Sequence, residues 1–143
     1  MREIKFRGKT KRGDGTYGWI YGDYIQSSHE IVEYLTDKSE QYFSRVIPDT
    51  VGQFTNLPFN IWEKDIIRSR EIPTAIYVVI WNEVNCCFSA IHISEYNQMN
   101  KEDALFRFNA LYNKTSINPD WLAKYQFESI GNIHDNPELL KNK

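Results

Sequence analysis

Cations and aromatic rings are concentrated near the N terminus of the chain. Basic residues occupy six of the first twelve positions: Arg2, Lys5, Arg7, Lys9, Lys11 and Arg12. Aromatic residues at alternate positions follow a glycine-rich turn segment: Tyr17, Trp19 and Tyr21. If the two segments pair as an antiparallel hairpin, cations and rings lie side by side, the combination that binds single-stranded nucleic acid. The alternative is a solvated hairpin whose aromatic face is packed in the core.

A second group of residue types could supply acid–base chemistry. His134 is followed by Asp135, while Glu63 and Asp65 lie near the middle of the chain. A hydrolase-type enzyme needs such groups within about 3 Å of the proton that they transfer, and the sequence alone does not bring them together. The sequence contains no phosphate-binding loop, no dinucleotide fingerprint and no nucleophile-elbow motif. We therefore expect a protein that is not an enzyme and that has no cofactor.

Histidines and cysteines lack the spacing of metal ligands. The histidines lie in separate segments, at His29, His92 and His134, and the cysteines are the neighbours Cys86 and Cys87. Zinc sites use spaced pairs of ligands, and a disulfide between neighbouring cysteines is strained. We predict two buried thiols and no metal site.

Length and composition are those of a folded globular protein. The chain has 143 residues, of which 41% are apolar, 15% aromatic and 25% charged, so we expect a single domain over residues 1–143. No apolar run reaches the roughly 18 residues of a membrane span, and the charged N terminus lacks a secretory signal. The expected location is the cytoplasm, with no membrane association. A net charge of −2 means that any attraction for nucleic acid must be local.

Alternation with a period of two predicts strands through the first half of the chain. A hairpin is expected from residues 4–6 and 17–25, with a long loop over residues 8–16. Further strands are predicted around residues 31–35, 43–47 and 51–54.

The second half combines strands with helices. Strands are predicted at residues 65–67, 75–81 and 87–91, and the middle one is apolar on both faces and so central. A helix over residues 101–112, capped by Asn100, should pack through Leu105, Phe108 and Leu111. Asn-Pro pairs predict short helices at residues 120–124 and 138–142, with a strand at 127–133 between them. The fold class is mainly β, all-β to α+β: a small antiparallel barrel or sandwich with a late helical insertion and a short C-terminal helix.

Three stretches of the chain form a distinctive set. The first comprises residues 2–9 and 18–22, the second 49–55 and 61–67, and the third 130–133 and 136–140. In order and in spacing they resemble the YopX family of phage and prophage proteins, across essentially the whole chain. Three residues, at two places in the chain, depart from the family pattern. Lys64 stands where the family usually has glycine, and His134-Asp135 stand where an aromatic residue usually precedes the terminal Asn-Pro.

The resemblance implies a phage or prophage accessory protein with a compact fold around a small β-barrel or sandwich, and it implies no catalytic or ligand-binding residues. Strand edges and exposed aromatic residues are ready interfaces. Our leading interpretation is therefore a non-enzymatic binding module whose partner is another protein or further copies of itself in a homo-oligomer. The alternative is nucleic-acid binding through the basic hairpin, and a second alternative is a hydrolase-type enzyme.

Overall fold

The computed structural model describes residues 3–34 and 40–141. The chain folds as two compact units, one ending at Asn56 and the other beginning at Leu57. Each unit contains one antiparallel sheet, which confirms the mainly β fold class. Among the described residues neither sheet closes on itself, so of the two predicted forms the barrel is not found. The expectation of a single domain stays a prediction.

The first unit is built from five strands and a one-turn helix. The strands are β1 (Phe6–Lys11), β2 (Tyr17–Ile25), β3 (Glu30–Tyr34), β4 (Gln41–Arg45) and β5 (Gly52–Gln53), and the one-turn helix is Pro48–Thr50. Their order in the sheet is β4-β3-β2-β1-β5. Ile31, Val32 and Val46 are buried and form the core of this unit. Leu35, predicted to continue the third strand, lies outside the described residues.

Strand β1 is longer than its sequence predicts. A Cβ atom on Gly8 would lie 3.1 Å from the side chain of Val46, so the strand passes this close to the core because residue 8 has no side chain. The hairpin loop is correspondingly short, and the Arg12 N–H donates to the Thr16 carbonyl across it at 2.7 Å. The predicted loop over residues 8–16 is therefore too long: residues 8–11 belong to β1, and only residues 12–16 connect the strands. Gly8, which the sequence places in the loop, is a packing residue.

Thr50 ties the segment after β4 to β1. Its hydroxyl oxygen accepts from the Lys9 N–H at 2.9 Å and donates to the Ile47 carbonyl at 2.6 Å. The Ile47 N–H in turn donates to the Lys9 carbonyl at 2.8 Å. The side chain thus satisfies backbone groups outside the regular ladder.

The second unit contains four strands and several short helices. The strands are β6 (Asp65–Ser69), β7 (Ile76–Asn82), β8 (Cys87–His92) and β9 (Phe127–Asn132). The helices are α1 (Ile93–Met99), α2 (Ala104–Tyr112), α3 (Pro119–Lys124) and a final one-turn helix, Pro137–Leu140. The sheet order is β8-β7-β6-β9. The last predicted helix is thus a single turn, and Asn142 lies outside the described residues.

Strand β7 is central, as predicted. Val78 pairs with Ile66 of β6, and Trp81 pairs with Phe88 of β8. Val79 packs on one face of the sheet with α3, and Val78 packs on the other with α1. Both faces are covered, which explains why this strand is apolar on both.

Helix α2 buries only one of the three residues through which it was predicted to pack. Leu105 and Phe108 are 67% and 51% exposed, whereas Leu111 is 6% exposed. Asp103, not Asn100, caps the helix by accepting from the Phe106 N–H at 2.9 Å. The cause is α1, which was not predicted. It packs against the sheet, and α2 contacts it through Leu111 and Met99.

Candidate binding surfaces

The β1–β2 hairpin carries a basic–aromatic face, which we define as the side of the sheet shared by three opposed pairs. The pairs are Arg7 with Tyr21, Lys9 with Trp19, and Lys11 with Tyr17. Directly opposed residues of an antiparallel pair project to the same face. The hairpin therefore places cations beside rings as the sequence predicts.

Trp19 is the centre of this face. The Arg7 guanidinium carbon lies 4.6 Å from its ring centroid and the Lys9 Nζ lies 5.5 Å from it, both within the range of a cation–π interaction. Arg7 is only 7% exposed. This arginine therefore has a packing role. Of the two lysines on the face, Lys11 is exposed and Lys9 half-buried.

The outer rings of the face are on the surface. Tyr17 is 52% exposed and Tyr21 44%, while Trp19 is half-buried. The alternative in which the aromatic stripe is simply core is therefore wrong for both tyrosines. Their exposure leaves ring surface on which a partner could stack.

The remaining predicted cations have different surroundings. Arg12 lies on the opposite side of the hairpin, where its guanidinium occupies the space beside Gly18. Lys5 forms an ion pair with Glu3 at 3.6 Å and lies 5.2 Å from the Phe54 ring. Arg2 lies outside the described residues. The basic residues of the N-terminal segment look alike in the sequence, but their contacts in the tertiary structure differ.

Strand β4 is an edge strand with aromatic residues on both sides. Among the described residues it pairs with β3 alone, and Tyr42 and Phe43 are 55% and 56% exposed. The sequence predicted a strand over residues 43–47 but did not identify an edge, because strand order is not a local property. An exposed edge is a template for strand addition.

The acid–base residues lie near one end of the β6–β9 pair. Asp65 opposes Asn132, and the Ile133 N–H donates to the Lys64 carbonyl at 3.1 Å. The segments that carry Glu63, Asp65 and His134 are therefore neighbours. Asp65 is buried, and its Oδ2 accepts from the Trp62 N–H at 2.9 Å, so this carboxylate holds a turn.

Metal-ligating residue types are dispersed in the part of the chain that the structure describes. Within residues 3–34 and 40–141, no three His, Cys, Asp or Glu side chains are grouped so that they could hold a metal ion. Cys86 is exposed and Cys87 half-buried. The prediction of two buried thiols is wrong, because Cys86 lies in the β7–β8 turn with a φ of 52°.

A comparison with known protein families identifies the chain. The family model described as YopX protein matches residues 5–141. The chain belongs to the YopX family. No curated protein and no solved structure matches it. Among the described residues of this YopX chain, no helix is long and apolar enough to cross a membrane.

The C-terminal YopX stretch builds a turn after β9. The Asn132 Oδ1 accepts from the N–H groups of His134 and Asp135 at 3.0 and 2.9 Å, and its Nδ2 donates to the Asp135 Oδ2 at 3.1 Å. Asn136 accepts from the Asn132 N–H at 3.2 Å and lies against Gly131. The side chains of Asn132 and Asn136 therefore stabilise the backbone of this turn.

Lys64 departs from the usual YopX glycine at a position where the backbone is left-handed. Its φ is 71°, a region that glycine enters without steric cost and other residues do not. The Lys64 N–H donates to the Val79 carbonyl at 2.6 Å. Its carbonyl accepts from Ile133, so backbone bonds on both sides hold the conformation.

Proposed function

We propose that this YopX-family protein is a non-enzymatic accessory protein of a phage or prophage that works by binding protein, and that its partner is a second copy of itself joined at the β4 edge. The supporting observation is the exposed edge strand with Tyr42 and Phe43. Asp65 and Asn132 satisfy backbone amides, which supports a structural use of the signature residues. The proposed site is the edge, residues 41–45.

Backbone N–H and C=O groups of β4 that point away from β3 are available for pairing with a further strand. The Val46 N–H donates to the His29 carbonyl at 2.9 Å on the β3 side. Backbone groups alternate along an antiparallel strand, so those of Tyr42 and Ser44 also face β3, and those of Gln41 and Phe43 point away from it. The Arg45 carbonyl accepts from the Thr10 hydroxyl at 2.8 Å, which limits pairing at that end.

The strand is complementary to itself. Two β4 strands that pair antiparallel about Phe43 place Phe43 opposite its own copy, Tyr42 opposite Ser44, and Gln41 opposite Arg45. Such a contact is isologous and closes as a dimer. It opposes no like charges, and the central aromatic pair contributes roughly 0.2–1 kcal/mol beyond backbone bonds.

Light scattering over protein concentrations up to about 1 mM tests this proposal, since a small interface gives weak association. Wild-type protein should shift from monomer to dimer. Phe43→Lys should remain monomeric, because it opposes two like charges across the axis. Phe108→Lys is the matched control: it removes the same residue type at similar exposure, on α2, and should dimerise normally.

Two results would overturn the edge interface. One is wild-type protein that stays monomeric over the whole range. The other is a reversed pattern, in which Phe108→Lys is monomeric and Phe43→Lys dimerises, because it would move the interface to the exposed side of α2.

A second candidate function is single-stranded nucleic-acid binding by the basic–aromatic face. The register of Lys9 with Trp19 and of Lys11 with Tyr17 favours it. Cations can contact the phosphates while the bases stack on the rings. Arg7 is unsuitable for testing this function because it is buried.

Two charge reversals from neighbouring positions test the face. Lys11 belongs to the basic–aromatic face and Arg12 lies on the opposite side, so Lys11→Glu should weaken retention on single-stranded DNA while Arg12→Glu should not. Binding should also fall with salt, with a log–log slope reduced by about 0.7 in Lys11→Glu for one lost phosphate contact. Equal effects of both variants would show that general charge, and not this face, is responsible.

A further inference from the structure

An open cleft of about 380 Å³ lies in the second unit, on the side of the sheet that α3 covers. Tyr77 of β7 and Ala90 of β8 form its floor, Trp121 of α3 is one wall, and the loop of residues 113–118 is the other. The volume falls in the range of small-molecule sites, and such sites combine aromatic surface with a few polar groups. The cleft plays no part in the proposed function.

The two rings of the cleft make a corner. Tyr77 and Trp121 are nearly perpendicular, at 79°, with centroids 5.4 Å apart. Phe127 lies against the indole with a centroid distance of 4.2 Å and an interplanar angle of 33°. Phe127 thus packs against one face of Trp121, whose side chain is half-buried and lines the cleft. Ala90 keeps the floor open because it has no side chain beyond Cβ.

Backbone groups of the loop of residues 113–118 bind it to β8. The polar side chains of the loop are therefore not needed to hold it in place. The Ile117 N–H donates to the Phe88 carbonyl at 3.0 Å, and the Thr115 carbonyl accepts from the Ser89 hydroxyl at 2.9 Å. Among the described residues, the hydroxyls of Thr115 and Ser116 and the amide nitrogen of Asn118 make no hydrogen bond. These groups are exposed and line the cleft.

The lining carries little net charge. Its one charged side chain is Lys114, and the Nζ of this residue forms an ion pair with the Glu95 Oε2 at 2.8 Å. Because the cation is already neutralised, the cleft has no electrostatic preference for an anion. A neutral ligand suits it better than a phosphate or a carboxylate.

We propose that this cleft binds the ring of a neutral sugar. A pyranose has an apolar face of C–H groups, which can lie against the rings of Tyr77 and Trp121 that line the cleft, and an edge of hydroxyls. Hydroxyl groups both donate and accept, as do the side chains of Thr115 and Ser116, while Asn118 supplies a further donor. A charged ligand would leave its charge uncompensated here, and a purely apolar one would leave the loop groups without a partner.

Titration of the full chain with glucose, galactose and N-acetylglucosamine tests the proposal, followed by amide and indole NMR shifts. At least one sugar should give saturable shifts centred on residues 113–118 and Trp121. Ala90→Leu fills the floor and should weaken this binding at least about tenfold. Ala123→Leu is the matched control, since it makes the same change at an exposed position of α3, and it should bind as the wild type does.

Three results would overturn the sugar site. They are the absence of saturable shifts with every sugar, equal affinity in Ala90→Leu, and shifts in these residues with adenosine but with no sugar. The amide spectrum of Ala90→Leu also reports whether the variant is folded. If it is not, Ser116→Ala serves in its place, with an expected weakening of about threefold or more from one lost hydrogen bond.

Discussion

The side-chain nitrogen of Asn82 donates to the Leu111 carbonyl at 2.9 Å and so joins the end of β7 to the end of α2. Asn82 is fully buried. Its oxygen accepts from the N–H groups of Val84 and Asn85 at 3.1 and 3.2 Å. One amide thereby fixes both the β7–β8 turn and the last turn of α2.

We expect Asn82→Ala to reduce the free energy of unfolding by about 2–4 kcal/mol, because it removes the buried acceptor of the Val84 and Asn85 N–H groups. Asn85 also donates to the Leu111 carbonyl, at 3.1 Å, but it is exposed. Asn85→Ala should cost roughly 1 kcal/mol or less, since water can replace the lost bonds. Urea denaturation measures both, and equal losses would contradict the importance of burial.

Truncating Leu111 or Leu105 to alanine should have very different effects on stability, although both leucines belong to α2. Leu111→Ala removes a side chain packed against Ile91 and Met99 and should cost about 2–4 kcal/mol through lost burial and a cavity. Leu105→Ala should change stability by no more than about 0.5 kcal/mol because the side chain is in solvent. Thermal or chemical denaturation measures the stability of both variants. A larger loss in Leu105→Ala than in Leu111→Ala would contradict the observed orientation of α2.

Replacing Lys64 by glycine should stabilise the protein by about 0.5–1 kcal/mol, because it relieves the left-handed conformation at φ 71°. Lys64→Ala keeps that conformation while removing the rest of the side chain. Comparing the glycine and alanine variants therefore isolates the backbone effect from the contacts of the lysine. A glycine variant less stable than the alanine variant would argue against strain at this position.

Thr16 should control the pKa of Asp14 in the hairpin loop. The Thr16 hydroxyl donates to the Asp14 Oδ1 at 2.6 Å and its N–H donates at 2.9 Å, and these bonds lower the pKa of the carboxyl below its ordinary value. Since the folded-state pKa is the lower one, the stabilisation is present above the unfolded-state pKa. It is lost as the pH falls through the folded-state pKa.

Thr16→Val should therefore raise the pKa of Asp14 toward its ordinary value, as measured by NMR titration of the carboxyl carbon. Glu128 provides an internal control. The Arg70 guanidinium donates to it at 2.7 Å and lowers its pKa, and this value should not change in Thr16→Val. An unchanged pKa of Asp14 would mean that the hydroxyl bond does not set it.

Several elements could be predicted because their signals are local. Alternation identified β2 of the hairpin over residues 17–25, although it did not predict the full length of β1. An unbroken apolar run identified β7 as central. Asn118 before Pro119 identified the start of α3, where the asparagine accepts from the Asp120 N–H at 2.8 Å. In each case neighbouring residues alone supply the physical cause.

Features that depend on residues far apart in the sequence, such as side-chain burial and the cleft, could be seen only in the tertiary structure. The apolar positions of α2 fit more than one face, and its contact with α1 determined that Leu111 is buried and Leu105 is not. Arg7 and Arg12 are both basic residues of one hairpin, yet the first is packed on Trp19 and the second lies across Gly18. Likewise, Ala90 and Trp121 share a cleft only because the loop between α2 and α3 is bonded to β8. Burial, strand order and cavities arise from packing between segments far apart in the chain, and no local pattern contains that information.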